Sequence, residues 1–127
     1  MPRIFKRKDF ARWQASHKLA DAVFCRAVQE MERGLIDADL GGLLYKKRIA
    51  RPGAGKRGGF RTLLSARIGS RYVLLSGYAK NELADITPDE KAALRFVGQV
   101  FLDLSADALS TAQRTGVLQE VHCEPTH

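Results

Sequence analysis

Between Lys46 and Lys80 the chain carries ten basic residues and no Asp or Glu. The ten are Lys46, Lys47, Arg48, Arg51, Lys56, Arg57, Arg61, Arg67, Arg71 and Lys80. The rest of the sequence holds 11 Lys and Arg against 14 Asp and Glu, so this middle third accounts for the whole formal net charge of +7. A solvated surface ordinarily mixes both signs, and segregation on this scale points to a polyanionic partner, RNA above all. The bland alternatives are a solubility face and a docking surface for an acidic protein. Tyr45, Phe60, Tyr72 and Tyr78 interleave with the cations and could stack on bases. Aromatics on strands more often pack in a core, so at most one or two of them are expected at a ligand.

Other chemistries find less support. Gly55-Lys56-Arg57 lacks the hydroxyl that a phosphate-binding P-loop places after its lysine, and a strand pattern follows where a helix should. The glycines of that stretch can still present backbone N–H groups to a phosphate. Two cysteines and three histidines, two of them in the tail, do not make a zinc site or a disulfide framework. Cys25, set among Val23, Phe24 and Ala27, reads as a buried thiol. The basic N-terminus has no apolar segment after it and does not read as a signal peptide. No apolar run approaches membrane-spanning length. These absences fit a reducing cytoplasm.

The elements that must position the cations can be read from periodicity. At 127 residues and 45% apolar, one domain with its own core is expected. Arg3 to Lys6 suits a short strand, and Phe10 and Trp13 mark a helix over Asp9–Ala15. A second helix, capped by Ser16, presents Leu19, Ala20, Val23, Phe24, Ala27, Val28 and Met31 on one face and stops at Gly34. After an acidic loop with Asp37 and Asp39, Leu43–Ala50 alternates, with Lys46 and Arg48 on one face and Tyr45, Lys47 and Ile49 on the other. Arg51–Gly59 reads as a basic, glycine-rich loop. Phe60–Ile68 and Arg71–Tyr78 read as strands joined at Gly69-Ser70 by a type II′ turn. Thr87-Pro88-Asp89-Glu90 is a capping box with proline at the first helical position. The helix it opens should bury Ala93, Leu94, Val97, Phe101 and Leu104. Past Asp107 the pattern weakens to a helical turn or frayed tail. The order β-α-α-β-β-β-α makes an α+β fold, a mainly antiparallel sheet with helices packed on one face.

Three blocks of residues resemble one family. Gly42-Leu43-Leu44-Tyr45-Lys46-Lys47-Arg48, Gly55-Lys56-Arg57-Gly58-Gly59-Phe60-Arg61-Thr62-Leu63 and Gly77-Tyr78-Ala79-Lys80-Asn81-Glu82 are similar, in this order, to the RelE/ParE superfamily of bacterial type II toxins. The nearest branch is the RelE-like one that includes HigB-type toxins. The resemblance covers roughly residues 1–106, which it marks as the toxin domain, with 107–127 as a C-terminal extension. It implies a metal-independent endoribonuclease without cofactors that cuts mRNA on the ribosome and is restrained by a cognate antitoxin. Its implied catalytic set is Lys46, Arg48, Arg61, Tyr78 and Lys80, and its implied RNA contacts are Lys47, Arg51, Lys56, Arg57 and Asn81.

Attack by a ribose 2′-OH on the adjacent phosphate needs a base, donors for the charged phosphorane and an acid for the leaving oxygen. Arg61 and Arg48 suit the phosphate because a guanidinium stays charged and binds it bidentately. Lys46 or Lys80 could serve as base where other cations crowd it. Tyr78 could stack on a base or donate a proton, or pack beneath the sheet. No Tyr follows Tyr78, and no His lies between His17 and His122, so the base is not assigned by residue type. Two other functions share this fold: a ParE-like inhibitor of DNA gyrase, and an RNA-binding module without catalysis.

Overall fold

A computed structural model describes residues 2–51, 55–79 and 86–124, with the side chains of residue 51 and residues 55–58 excepted. The elements are β1 (Arg3–Arg7), α1 (Lys8–Ser16), α2 (Asp21–Glu32), β2 (Ala38–Asp39), β3 (Leu44–Arg51), β4 (Gly55–Arg67), β5 (Arg71–Ala79), α3 (Pro88–Leu102), α4 (Ala106–Arg114) and β6 (Leu118–Val121). The strands form one sheet in the order β2-β3-β4-β5-β1-β6. Every neighbouring pair is antiparallel except β1 with β5. The fold is α+β.

The helices, expected on one face, cover both. Phe10 of α1 and Phe24, Val28 and Met31 of α2 pack on Ile4, Ile49, Phe60, Leu64 and Leu74. On the other face Leu102 of α3 and Leu109 and Ala112 of α4 pack on Phe5, Leu44, Val73, Leu75 and Leu118. Period-two alternation sorts the strand residues between these two cores: Ile4 goes to the first and Phe5 to the second. Past Asp107, where a helical turn or frayed tail is expected, the chain completes the helix α4 and then forms β6, which pairs with β1 in the same sheet. A nine-residue helix that buries only Leu109 and Ala112 offers too few apolar residues for a clear period.

Several local expectations are corrected. Ser16 does not cap α2, which starts at Asp21 after Ala20; its hydroxyl donates to Trp13 O (2.8 Å) and closes α1. The Arg51–Gly59 stretch is not wholly loop, because β3 runs through Arg51 and β4 starts at Gly55, which pairs with Arg51. The β4–β5 connection has three residues, Ile68 to Ser70. Its positive-φ Gly69 (φ +87°) sits second in the turn closed by Ser70 N–H to Arg67 O (2.9 Å), so the turn is not type II′. The capping box of Thr87 and Glu90 is present, with Pro88 at the start of α3. Along α3 the buried residues are Gly98 and Leu102. Leu94, Val97, Phe101 and Leu104 are only partly buried, and Ala93 is exposed. A Cβ at Gly98 would overlap the Ser65 side chain, so the glycine is what lets α3 approach β4 so closely.

Cys25 and Cys123 form a disulfide, correcting the reading of Cys25 as a thiol. The pairing depends on β6, which carries Cys123 across the sheet to α2. Proximity of this kind is invisible at a sequence separation of 98.

Candidate functional site

The site is a matter of register. Arg48 on β3 pairs with Arg61 on β4, and Arg61 pairs with Tyr78 on β5. Residues paired across antiparallel strands project from the same face with Cβ atoms about 5 Å apart. Arg48, Arg61 and Tyr78 therefore form a row across three strands. Lys46, two residues before Arg48, shares that face, opposite Leu63. This is the face of α3 and α4, since Leu44 in the same alternation lies in their core.

Tyr78 belongs to the row because of a β-bulge. Leu63 pairs with Ser76 but Leu64 pairs with Leu74, which leaves Leu75 as an extra residue on β5. Simple alternation from Val73 would place Gly77 with Arg61 and turn Tyr78 to the other face. The extra residue reverses the phase. Gly77 then lies under Trp13, where a Cβ would overlap the indole, and Tyr78 faces the cations. Arg7 on β1 donates through Nε to Leu75 O (2.6 Å) at the bulge.

The electrostatics of the row are uneven. Arg61 is only 9% exposed, and its buried NH1 nitrogen has no hydrogen-bond partner among the described residues. A desolvated, unsatisfied guanidinium nitrogen is costly, and an anion removes that cost. Arg48 is more exposed and only loosely held, its Nε 3.9 Å from Asp37 Oδ1. Lys46 is half-buried and forms no ion pair among the described residues. Together these cations can neutralise a phosphate and donate to its oxygens, with Tyr78 beside them on β5.

Other members of the acid-free run are committed to structure. Lys47, expected at RNA, is 3% exposed on the opposite face, with Nζ 2.8 Å from Glu30 and 3.9 Å from Asp37. Arg67 pairs with Asp103 (2.6 Å). Arg71 NH1 donates to the carbonyls of Phe101, Leu102 and Leu104, each at 3.0 Å, and so caps the end of α3. Arg51 ends β3, and Lys56 and Arg57 lie in the first residues of β4, with their side chains undescribed. Lys80 and Asn81 lie outside the described residues.

Three of the four aromatics serve the helices beneath the sheet. Phe60 packs edge-on against Trp13 (ring centroids 5.3 Å apart) and His17 (4.9 Å). Tyr45 borders the same core. Tyr72 is fully buried and donates its hydroxyl to Glu32; burial and that carboxylate push its pKa up. Only Tyr78 shares a face with Arg61. A cleft of about 410 Å³ lies on the α2 side of the β3 edge, between Ala22, Val23, Ala27, Ile49 and Ala50, and touches the cationic row only through Arg48. Among the described residues no group of three or more His, Cys, Asp or Glu could hold a metal ion, and no helix is long and apolar enough to cross a membrane. Arg7, one residue beyond the Arg3–Lys6 strand expected from the sequence, is the last residue of β1 and comes to the face of the cationic row.

The family model described as RelE toxin of the RelE/RelB toxin–antitoxin system matches residues 2–121, so the match takes in α4 and β6 as well as the earlier elements. Among curated proteins, none matches the chain.

Proposed function

The chain belongs to the RelE toxin family and is thus the toxin of a toxin–antitoxin pair; from that premise we propose that it is a HigB-like, metal-independent endoribonuclease that cuts mRNA on the ribosome in the cytoplasm. The observation that carries the reading is the buried Arg61 guanidinium with an unpartnered nitrogen, set between Arg48 and Tyr78. A desolvated guanidinium within a row of cations fits the several oxygens of one phosphate. A phosphorane that gains charge during 2′-OH attack gains the full strength of such a donor.

In this reading Arg61 and Arg48 hold the scissile phosphate and stabilise the phosphorane. Lys46 supplies further positive charge, and Lys46 or Lys80 exchanges a proton with the attacking or leaving oxygen. Tyr78 stacks on a neighbouring base or protonates the leaving oxygen. Arg51, Lys56, Arg57 and Asn81 extend the RNA contacts; Lys47 does not, because Glu30 holds it on the other face. Antitoxin binding restrains the enzyme in the cell that makes it.

The test is induced expression followed by mapping of mRNA 5′ ends. New ends at translated positions are the expected result. Growth arrest with DNA-damage signalling and no new ends would replace this reading with gyrase inhibition.

A further inference from the structure

We infer that Arg7 forms a second phosphate subsite, which holds the RNA backbone at a phosphate next to the one bound by Arg61. The inference rests on the endoribonuclease reading. Arg7 lies outside the acid-free run, and only the fold brings it to the cations. Along β1, Lys6 turns toward α1 and α2, where its Nζ bonds Gln14 (2.9 Å) and Asp21 (3.0 Å). Phe5 turns the other way, and Arg7 follows it onto the face of the cationic row. Its partner on β6, Leu118, is in the core of that same face.

The guanidinium is aimed but not neutralised. Its Nε donates to Leu75 O (2.6 Å), at the residue the bulge leaves without a partner on β4. That bond occupies one of five N–H donors. No carboxylate pairs with Arg7 among the described residues, and the side chain is half-buried. A neutral carbonyl orients the charge without cancelling it, so the terminal nitrogens are left for an anion.

Distance makes this a separate subsite. β1 lies two strands from β4, about 10 Å at the usual spacing. Arg7 sits beside Leu75, displaced along the strands from Tyr78, the partner of Arg61. The two backbone positions are offset both across and along the sheet, a spacing that suits neighbouring phosphates of one strand. A single strand laid across β3, β4, β5 and β1 would meet Arg48 and Arg61 first, pass Tyr78, and reach Arg7 at another phosphate.

The probe is a 2′-O-methylated RNA octamer, which cannot supply the attacking hydroxyl, bound to the full chain over a range of salt concentrations. Arg7→Gln should weaken binding several-fold and lower the log–log salt slope by about 0.7, the value of one single-strand phosphate contact. Arg7→Lys should restore the slope, because a point charge serves a phosphate even without the fork geometry. If Arg7 only braces the bulge, both variants lower the melting temperature and leave the slope at its wild-type value, which overturns the subsite. A slope reduced by Arg61→Ala but not by Arg7→Gln likewise removes the subsite and leaves the endoribonuclease reading in place. Absence of octamer binding in the wild type overturns the subsite, while the endoribonuclease reading stands or falls with the map of mRNA 5′ ends. A loss confined to antitoxin affinity would make Arg7 a protein contact instead.

Discussion

Arg61 is the side chain in the cationic row with the least water around it, and that sets what its removal should do. A donor aimed at developing phosphorane charge from a desolvated position is worth about 3–4 kcal/mol to the transition state. Arg61→Ala should therefore lower the cleavage rate roughly 10²- to 10³-fold while a native far-UV spectrum shows the fold intact. Loss of the unsatisfied nitrogen offsets part of the packing lost with the side chain. Wild-type cleavage by the folded variant would remove Arg61 from the mechanism. At this scale the sequence was legible wherever alternation could be applied. Lys46 and Arg48 belong together because they are two apart on a strand, and Lys47 between them must face the other way, toward α2. Tyr78 was not legible in this way, because its direction depends on an inserted Leu75 that no composition signals. Nor could charge counting distinguish Arg61 from Arg67 and Arg71, whose partners Asp103 and the end of α3 lie some 30 residues further on.

At the scale of elements, the face that holds the site is completed by α3, and its approach depends on one missing side chain. Gly98→Ala would drive a methyl group into Ser65, whose hydroxyl is itself buried without a hydrogen-bond partner among the described residues. Overpacking of this kind costs about 1–3 kcal/mol. Denaturant unfolding of Gly98→Ala should show that loss, and Ser65→Gly in the same chain should recover most of it by removing the atoms that clash. Loss without recovery would mean that α3 helicity or an unrelated strain is responsible. The capping box of α3 was readable because a cap is written in four consecutive residues. The helix's buried face was not, because Gly98 carries no apolar signal, yet it marks the point of nearest approach. The same reasoning explains α4 and β6. Short elements with two buried residues each become recognisable only through their neighbours, β1 and the second core.

On the scale of the whole molecule, the first and last strands are adjacent, and two links hold the chain's end to its start. The Cys25–Cys123 disulfide closes a 98-residue separation, for which the chain-entropy model gives a stabilisation of about 4–5 kcal/mol. Reductant should lower the melting temperature of the wild type, while Cys123→Ser should melt at the reduced temperature with or without it. A toxin that works in a reducing cytoplasm would function in the dithiol form.

The second link, between Arg3 and Glu120, gives a pH signature. Arg3 Nε and NH2 donate to the Glu120 carboxylate at 2.9 and 2.8 Å. The hydrogen bond from Arg3 holds the Glu120 pKa below its ordinary value of 4.5, against the opposing effect of burial. Asp21 behaves alike: burial would raise it, but bonds from Gln14 and Lys6 prevail and keep it low. A carboxyl depressed in the folded state binds fewer protons there than when unfolded. Its contribution is therefore fully present above the unfolded value and disappears as pH falls through the folded one. Glu120→Gln should be less stable than wild type at neutral pH by a constant margin, and that margin should shrink only below about pH 4.5. Chemical unfolding of both proteins between pH 7 and pH 3 measures the two curves. Curves that stay parallel to the acid end would show that Arg3 and Glu120 do not interact in solution, and that backbone pairing alone holds β6 to β1.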